Sequence, residues 1–85
     1  MSVTYARELE LTADRLRRLP AVRLAGAEAQ VYELLESMTV RPVPRLRPLA
    51  WGDQLWVIGQ EVPDANRDAL VGQLRDLRRG FDLSL

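Results

Sequence analysis

The sequence LAWGDQLWVIGQEV, residues 49–62, decides the fold class of this 85-residue chain. Its apolar residues recur at spacings of four, three and four, as they do along one face of a helix. These residues are Trp51, Leu55, Ile58 and Val62. Pro48 lies just before them and suits the first turn of a helix, where its missing N–H is not needed. We therefore predict a helix from Leu49 to Val62.

A second interpretation of the same segment makes Gly52-Asp53 the turn of a β-hairpin near residues 46–58. The run LWVI at residues 55–58 favours strands, because aromatic and β-branched residues are enriched there. Pro48 would then lie inside a strand and confine it to a sheet edge. The sequence thus predicts an all-α domain of four short helices, and the alternative is an α+β domain with one hairpin.

Two other segments show the same helical spacing of apolar residues. Their apolar positions are Ala27, Val31, Leu34 and Met38 in the first, and Leu70, Leu74, Leu77 and Phe81 in the second. The first predicts a helix from Leu24 to Met38. The second predicts a helix that begins at Pro63-Asp64 and ends at Gly80, since proline and aspartate mark helix starts and glycine marks helix ends.

The N-terminal segment fits two periodicities. Its helical face contains Ala6, Leu9, Ala13 and Leu16. Residues 3–11 also alternate in steps of two, as a strand would. Because good helix formers dominate this segment and Pro20 ends it, we predict a helix from Thr4 to Leu19. A strand over residues 3–11, followed by a shorter helix capped by Thr12, is the alternative.

Residues 39–48, TVRPVPRLRP, contain three prolines and three arginines. Prolines this close together exclude a regular helix and favour an extended, stiff crossover. Arg41, Arg45 and Arg47 form a candidate basic patch with a local charge of +3. A solvated linker accounts for this composition, and contact with nucleic acid is the alternative. We predict that residues 1–85 form a single small globular domain containing this crossover.

The composition excludes several classes of chemistry. The chain has 12 arginines, no lysine, no histidine and no cysteine. It therefore lacks the usual ligands of zinc, haem and iron–sulfur clusters, and it lacks the bases that normally activate serine or threonine nucleophiles. Asp64 and Asp68 are conceivable magnesium ligands, but carboxylates at a helix start are better explained by the helix dipole. We predict no enzyme activity, no catalytic residues, no cofactor and no metal site.

The 12 acidic residues balance the 12 arginines, so the formal net charge is zero. A protein whose main task is to bind nucleic acid or an anionic membrane normally has a net basic surface. The longest apolar run, residues 55–58, is far shorter than the ~20 residues that cross a bilayer, and the first residues show no signal-peptide pattern. We predict a cytoplasmic protein that does not bind membranes.

The predicted helix over residues 49–62 is apolar around most of its circumference. Trp51 lies on the main apolar arc, whereas Trp56 and Val57 fall to either side of it. Such a helix lies at the centre of a bundle or is partly covered by a second chain. Trp56, Val57 and Trp51 are the candidate interface residues. Gly52 and Gly59 share one face, where they would allow another helix to approach closely.

These observations predict a small, non-catalytic interaction or regulatory module. It would act by homodimerisation or through a partner protein, with aromatic residues at the interface. The alternative function is a small nucleic-acid-associated regulator that uses the basic segment Arg41–Arg47.

Overall fold

The computed structural model describes residues 3–83, which form an all-α fold. The helices are α1 (Val3–Arg18), the single turn α2 (Ala21–Leu24), α3 (Glu28–Met38), α4 (Trp51–Gln60) and α5 (Asp64–Leu83). Short 3₁₀ turns at Ala25–Ala27 and Pro48–Ala50 lead into α3 and α4. No strand occurs among the described residues, so the four-helix prediction is confirmed. The hairpin and the N-terminal strand are both wrong.

The segment that decides the fold class is helical. Pro48 is the first residue of the 3₁₀ turn, where it has no amide hydrogen to leave unpaired. Gly52 and Asp53 lie in the first turn of α4, and the Asp53 carboxylate complements the positive end of the helix dipole. The helix ends at Gln60, slightly before the predicted end at Val62.

Two further predicted helix boundaries differ from the structure. The helix predicted to begin at Leu24 is preceded by another helical turn, because Pro20 is extended (φ −66°, ψ 153°) and starts the helix at Ala21. The C-terminal helix does not end at Gly80, which has no positive φ, but continues to Leu83. Tertiary contacts explain this extension, since Phe81 is buried and its carbonyl oxygen accepts a hydrogen bond from Arg23 at 2.8 Å.

One hydrophobic core joins α1, α3, α4 and α5. The largest side chains that are almost completely buried are Trp51, Tyr5, Tyr32, Leu9, Leu16, Leu24, Leu35, Leu55 and Leu74. They come from every α-helix of the described chain, so no helix can leave the bundle without exposing apolar surface. Within residues 3–83, no helix is both long enough and apolar enough to cross a membrane.

Helix α4 lies very close to α1 at its two glycines. A Cβ atom at Gly52 would lie 2.7 Å from the Ala13 carbonyl oxygen, and one at Gly59 would lie 2.5 Å from Leu9 Cδ1. The Tyr5 hydroxyl donates a hydrogen bond to the Gly59 carbonyl oxygen at 2.8 Å. The predicted close approach at these glycines is therefore present within the chain, between antiparallel helices.

Helix α5 is joined to α1 by a buried polar cluster. The Glu8 carboxylate is paired with Arg78 and, at 3.1 Å, with Arg75. Arg78 also donates to the Thr12 hydroxyl at 2.9 Å, and that hydroxyl donates to the Leu74 carbonyl oxygen at 3.3 Å. No buried side-chain polar atom of this cluster lacks a hydrogen-bond partner, which offsets the cost of burial.

We expect Gly52→Ala to lower the free energy of unfolding by about 1–3 kcal/mol, because the added methyl group would collide with the backbone of α1. The matched control is Gly72→Ala, in the interior of α5. A Cβ there meets nothing within 4 Å, so this substitution should stabilise the helix by about 0.5–1 kcal/mol. Urea denaturation of both variants measures the difference, and equal effects would contradict the close approach of α1 and α4.

The ion pairs of Glu8 with Arg75 and Arg78 should make the free energy of unfolding depend on pH. Burial raises the pKa of Glu8, but hydrogen bonds from Arg78 and Arg75 outweigh it and hold the pKa below the ordinary value of 4.5. A lowered folded-state pKa stabilises the fold above the unfolded-state pKa, and this contribution disappears as the pH falls through the folded-state value. The stability advantage of the native chain over Glu8→Gln should therefore be full near neutral pH and shrink in acid.

Urea denaturation between about pH 7 and pH 3 tests this expectation. Glu10→Gln, which removes an exposed carboxylate from the same helix, controls for the loss of one negative charge. A difference between the native chain and Glu8→Gln that stays constant over the whole range would show that the ion pair does not carry the stabilisation.

Candidate interaction surface

Three side chains hold the crossover of residues 39–48 against the bundle. The Tyr32 hydroxyl accepts a hydrogen bond from the Leu46 amide at 2.8 Å and donates one to Gln54 Oε1 at 3.0 Å. Gln54 Nε2 donates to the Pro44 carbonyl oxygen at 2.7 Å, and the Trp51 indole donates to the Leu46 carbonyl oxygen at 3.2 Å. We call Tyr32, Trp51 and Gln54 the polar clamp.

The polar clamp satisfies backbone groups that no regular structure pairs. Prolines at three positions remove amide donors from the crossover, so it cannot form a ladder of its own. Tyr32 and Trp51 are each 1% exposed, and their rings meet edge to face at a centroid distance of 5.9 Å. Because both partners of Leu46 are anchored in the core, its backbone is fixed while its side chain faces solvent.

An open apolar groove of about 380 Å³ lies between the fixed crossover and α4. It is lined by Pro44, Leu46, Ala50, Asp53, Gln54, Val57 and Ile58. Val57 is 58% exposed and Leu46 is 46% exposed, so large apolar side chains on both sides of the groove face water. We call this feature the apolar groove.

Exposed large apolar residues are concentrated in residues 46–57, the segment that contains most of the groove's lining residues. Seven large hydrophobic side chains are exposed among the described residues, and four of them lie within residues 46–57. These four are Leu46, Leu49, Trp56 and Val57. Single exposed hydrophobic residues are normal on protein surfaces, whereas Leu46 and Val57 line one groove and so mark a candidate binding surface.

The structure separates the three candidate interface residues. Val57 lines the apolar groove, and Trp56, which precedes it on α4, is 36% exposed. Trp51 is only 1% exposed, so it has no surface to offer a partner. Its ring packs edge to face against Tyr32 of α3, and its indole N–H donates to the Leu46 carbonyl oxygen as part of the polar clamp. Trp51 is therefore a core residue and is withdrawn as an interface residue.

The candidate basic patch is divided by the contacts of its members. Arg41 lies 3.7 Å from the Glu61 carboxylate, which offsets its charge. The Arg45 guanidinium lies over the Tyr32 ring at 4.1 Å from the centroid. The Arg47 side chain is exposed, and within residues 3–83 it has no hydrogen-bond or ion-pair partner. The three arginines thus do not act as one set of free cations.

The part played by the crossover was not predicted from the sequence. The composition of residues 39–48 predicts a solvated linker, yet Pro44 and Leu46 form one wall of the apolar groove. One feature of the sequence indicated this role of the crossover. Tyr32 and Gln54 lie beside apolar positions on their helices, and polar side chains that become buried need hydrogen-bond partners. Their partners are backbone groups of the proline-rich crossover, and these groups have no hydrogen-bond partners in regular secondary structure.

Asp64, one of the two acidic residues considered as magnesium ligands, has a local ion-pair partner. Asp64 begins the helix and lies 3.4 Å from Arg67. In the described part of the chain, no group of three or more metal-ligating side chains could hold a metal ion.

Comparison of this chain with protein-family models, with curated proteins and with solved structures finds no match. The surface itself is therefore the basis of the functional argument.

Replacing Tyr32 by Phe should loosen the crossover. The substitution keeps the ring in the core but removes the hydroxyl that pairs with the Leu46 amide and with Gln54, at a cost of about 1–3 kcal/mol. Hydrogen exchange at the Leu46 amide should become faster than the change in global stability alone would cause. Tyr5→Phe, which removes the hydrogen bond to Gly59, is the control. Equal acceleration at Leu46 in both variants would show that the polar clamp does not act locally.

Proposed function

We propose that this chain is a small, non-catalytic interaction module that binds a protein segment in the apolar groove. The observation that carries the proposal is the groove itself, whose two walls expose Leu46 and Val57 to solvent. The partner is a second copy of the chain or another protein. We also propose that it acts in the cytoplasm.

Binding in the groove is supported by the energetics of its apolar walls. Apolar side chains that remain in water in the free protein become favourable contacts when a partner covers them. The crossover wall is already held by the polar clamp, so little conformational entropy is lost when a ligand enters. Trp56 is 36% exposed on another face of α4 and does not line the groove, so the contacts proposed here are those of Leu46 and Val57.

The competing proposal is nucleic-acid association through Arg41, Arg45 and Arg47. Two observations favour it less than binding in the apolar groove. Arg41 is paired with Glu61, and the net charge of the chain is zero. It stays a prediction and is tested by a separate measurement of DNA binding. Micromolar binding to duplex or single-stranded DNA that is lost when all three arginines are replaced would favour it over the apolar groove.

Site-specific photo-crosslinking in the native host tests the proposed function. A photoreactive amino acid at position 57 should form adducts of defined mass, either with a second copy or with another protein. The control carries the same residue at position 22, because Val22 is also an exposed valine on a helix but lies outside the groove. Any protein identified in this way is then purified and its affinity for the native chain is measured.

Val57→Glu should weaken the measured binding at least about tenfold, because it places a charge on the apolar wall, whereas Val22→Glu should leave the affinity unchanged. Both residues are exposed, so both variants should fold. The proposal fails if position 57 yields no adducts beyond those of position 22, and if light scattering shows a monomer at every concentration.

A further inference from the structure

The chain consists of two halves that make their main contacts with each other. We call residues 3–38 the N-terminal half and residues 44–83 the C-terminal half. We propose that two copies of this chain form a dimer by exchanging these halves, so that α4 and α5 of each copy pack on α1 and α3 of the other. Exchange needs nothing bound in the apolar groove, so it goes beyond the proposed function.

The hydrophobic core is shared by both halves. Helix α1 packs mainly against α4 and α5, and α3 also packs against these two helices. The ion pairs between α-helices cross the same boundary, and they join Glu8 with Arg75 and Arg78, Arg15 with Asp82, and Arg17 with Asp53. Because two copies have the same sequence, the C-terminal half of one copy can make all these contacts with the N-terminal half of the other.

The contacts of the crossover place the hinge of this exchange at residues 39–43. Gln54 and Trp51 of α4 donate hydrogen bonds to carbonyl oxygens within residues 44–46, so this part of the crossover moves with the C-terminal half. Tyr32 of the N-terminal half bonds to the same segment and to Gln54. A Tyr32 side chain from a second copy can make these bonds equally well. Residues 39–43, which we call the hinge, are therefore the segment that must change conformation.

The hinge has few contacts that oppose its opening. The chain bends at Val40 and Arg41, directly before Pro42, and a proline favours an extended conformation of the residue before it. Arg41 lies 3.7 Å from Glu61, but both side chains are largely exposed, and such ion pairs contribute little to stability. Straightening the bend gives up this pair and the packing of the partly buried Val43. The far larger set of contacts between the halves is restored in the dimer.

An exposed apolar side chain in the hinge gains a partner on exchange. Val40 is the most exposed of the large apolar side chains among the described residues. In a two-fold dimer with exchanged halves, the two hinges run past each other near the symmetry axis. Each Val40 then lies beside the hinge of the other copy. Removing this apolar surface from water favours the dimer over two separate monomers.

Refolding at two protein concentrations tests the exchange with the native chain. Samples unfolded in urea are refolded at about 10 µM and about 1 mM, brought to the same final concentration and sized by light scattering. The concentrated sample should contain a dimer that persists after dilution, because its return to monomers requires unfolding. Val57→Glu should leave this dimer intact, since the apolar groove takes no part in exchange. Monomers alone in both samples, or a dimer that Val57→Glu abolishes, would overturn the exchange.

Complementary charge reversal identifies the exchanged halves. Glu8→Arg places an arginine against Arg75 and Arg78, and the double variant Arg75→Gln, Arg78→Glu places a carboxylate against Glu8. Each variant alone should fold poorly, because a buried charge then faces a like charge. In an exchanged dimer of the two variants, one lobe has the native ion pairs and the other joins the introduced arginine to the introduced glutamate. Refolding them together should therefore give at least about tenfold more dimer than refolding either alone.

The control carries Glu8→Arg, Arg75→Gln and Arg78→Glu in one chain, which restores opposite charges within a monomer. If this control folds while the mixture of the two variants yields no dimer, the halves are not exchanged. If the control does not fold, the refolding of the native chain decides, and monomers at both concentrations overturn the exchange. Binding in the apolar groove is tested separately by crosslinking at position 57, so failure of the exchange leaves the proposed function unaffected.

Discussion

The close approach of α1 and α4 is the constraint on which the rest of the structure depends. It exists because Gly52 and Gly59 place no side chain between the two helices, and the Ala13 carbonyl and Leu9 occupy that space. A helix held at this distance brings Trp51 into the core, and with it the hydrogen bonds of the polar clamp. Since the polar clamp fixes the crossover, the shape of the apolar groove follows from two glycines on the opposite side of α4.

Much of the fold could be predicted from local periodicity, and the errors show where periodicity stops. Spacings of four and three located all the long helices, and the same spacing in residues 49–62 correctly outweighed the strand preference of residues 55–58. The predicted stop at Gly80 failed because a local signal was overridden by distant partners. Arg23 holds the carbonyl of Phe81, and Arg15 pairs with Asp82.

The candidate site was predictable only on the α4 side. The helical wheel correctly separated Trp56 and Val57 from the main apolar arc, and both are exposed. The opposite wall could not be predicted in the same way, because the crossover has no regular period. Its position depends on a hydrogen bond between Leu46 and Tyr32, fourteen residues apart, and on Gln54 from another helix. These hydrogen bonds can be identified only in the folded structure, where the crossover, α3 and α4 lie together.

The arrangement of α1 and α5 has a consequence for how the chain folds. Glu8 faces Arg75 and Arg78, and Arg15 faces Asp82, so the first and last helices run parallel and their contacts join residues about seventy positions apart. Contacts this distant require a large loop to close, which slows folding compared with a bundle of sequential hairpins. During synthesis on the ribosome, α1 cannot complete its packing until α5 has emerged. The domain should therefore fold only after α5 has been synthesised, and as one cooperative unit.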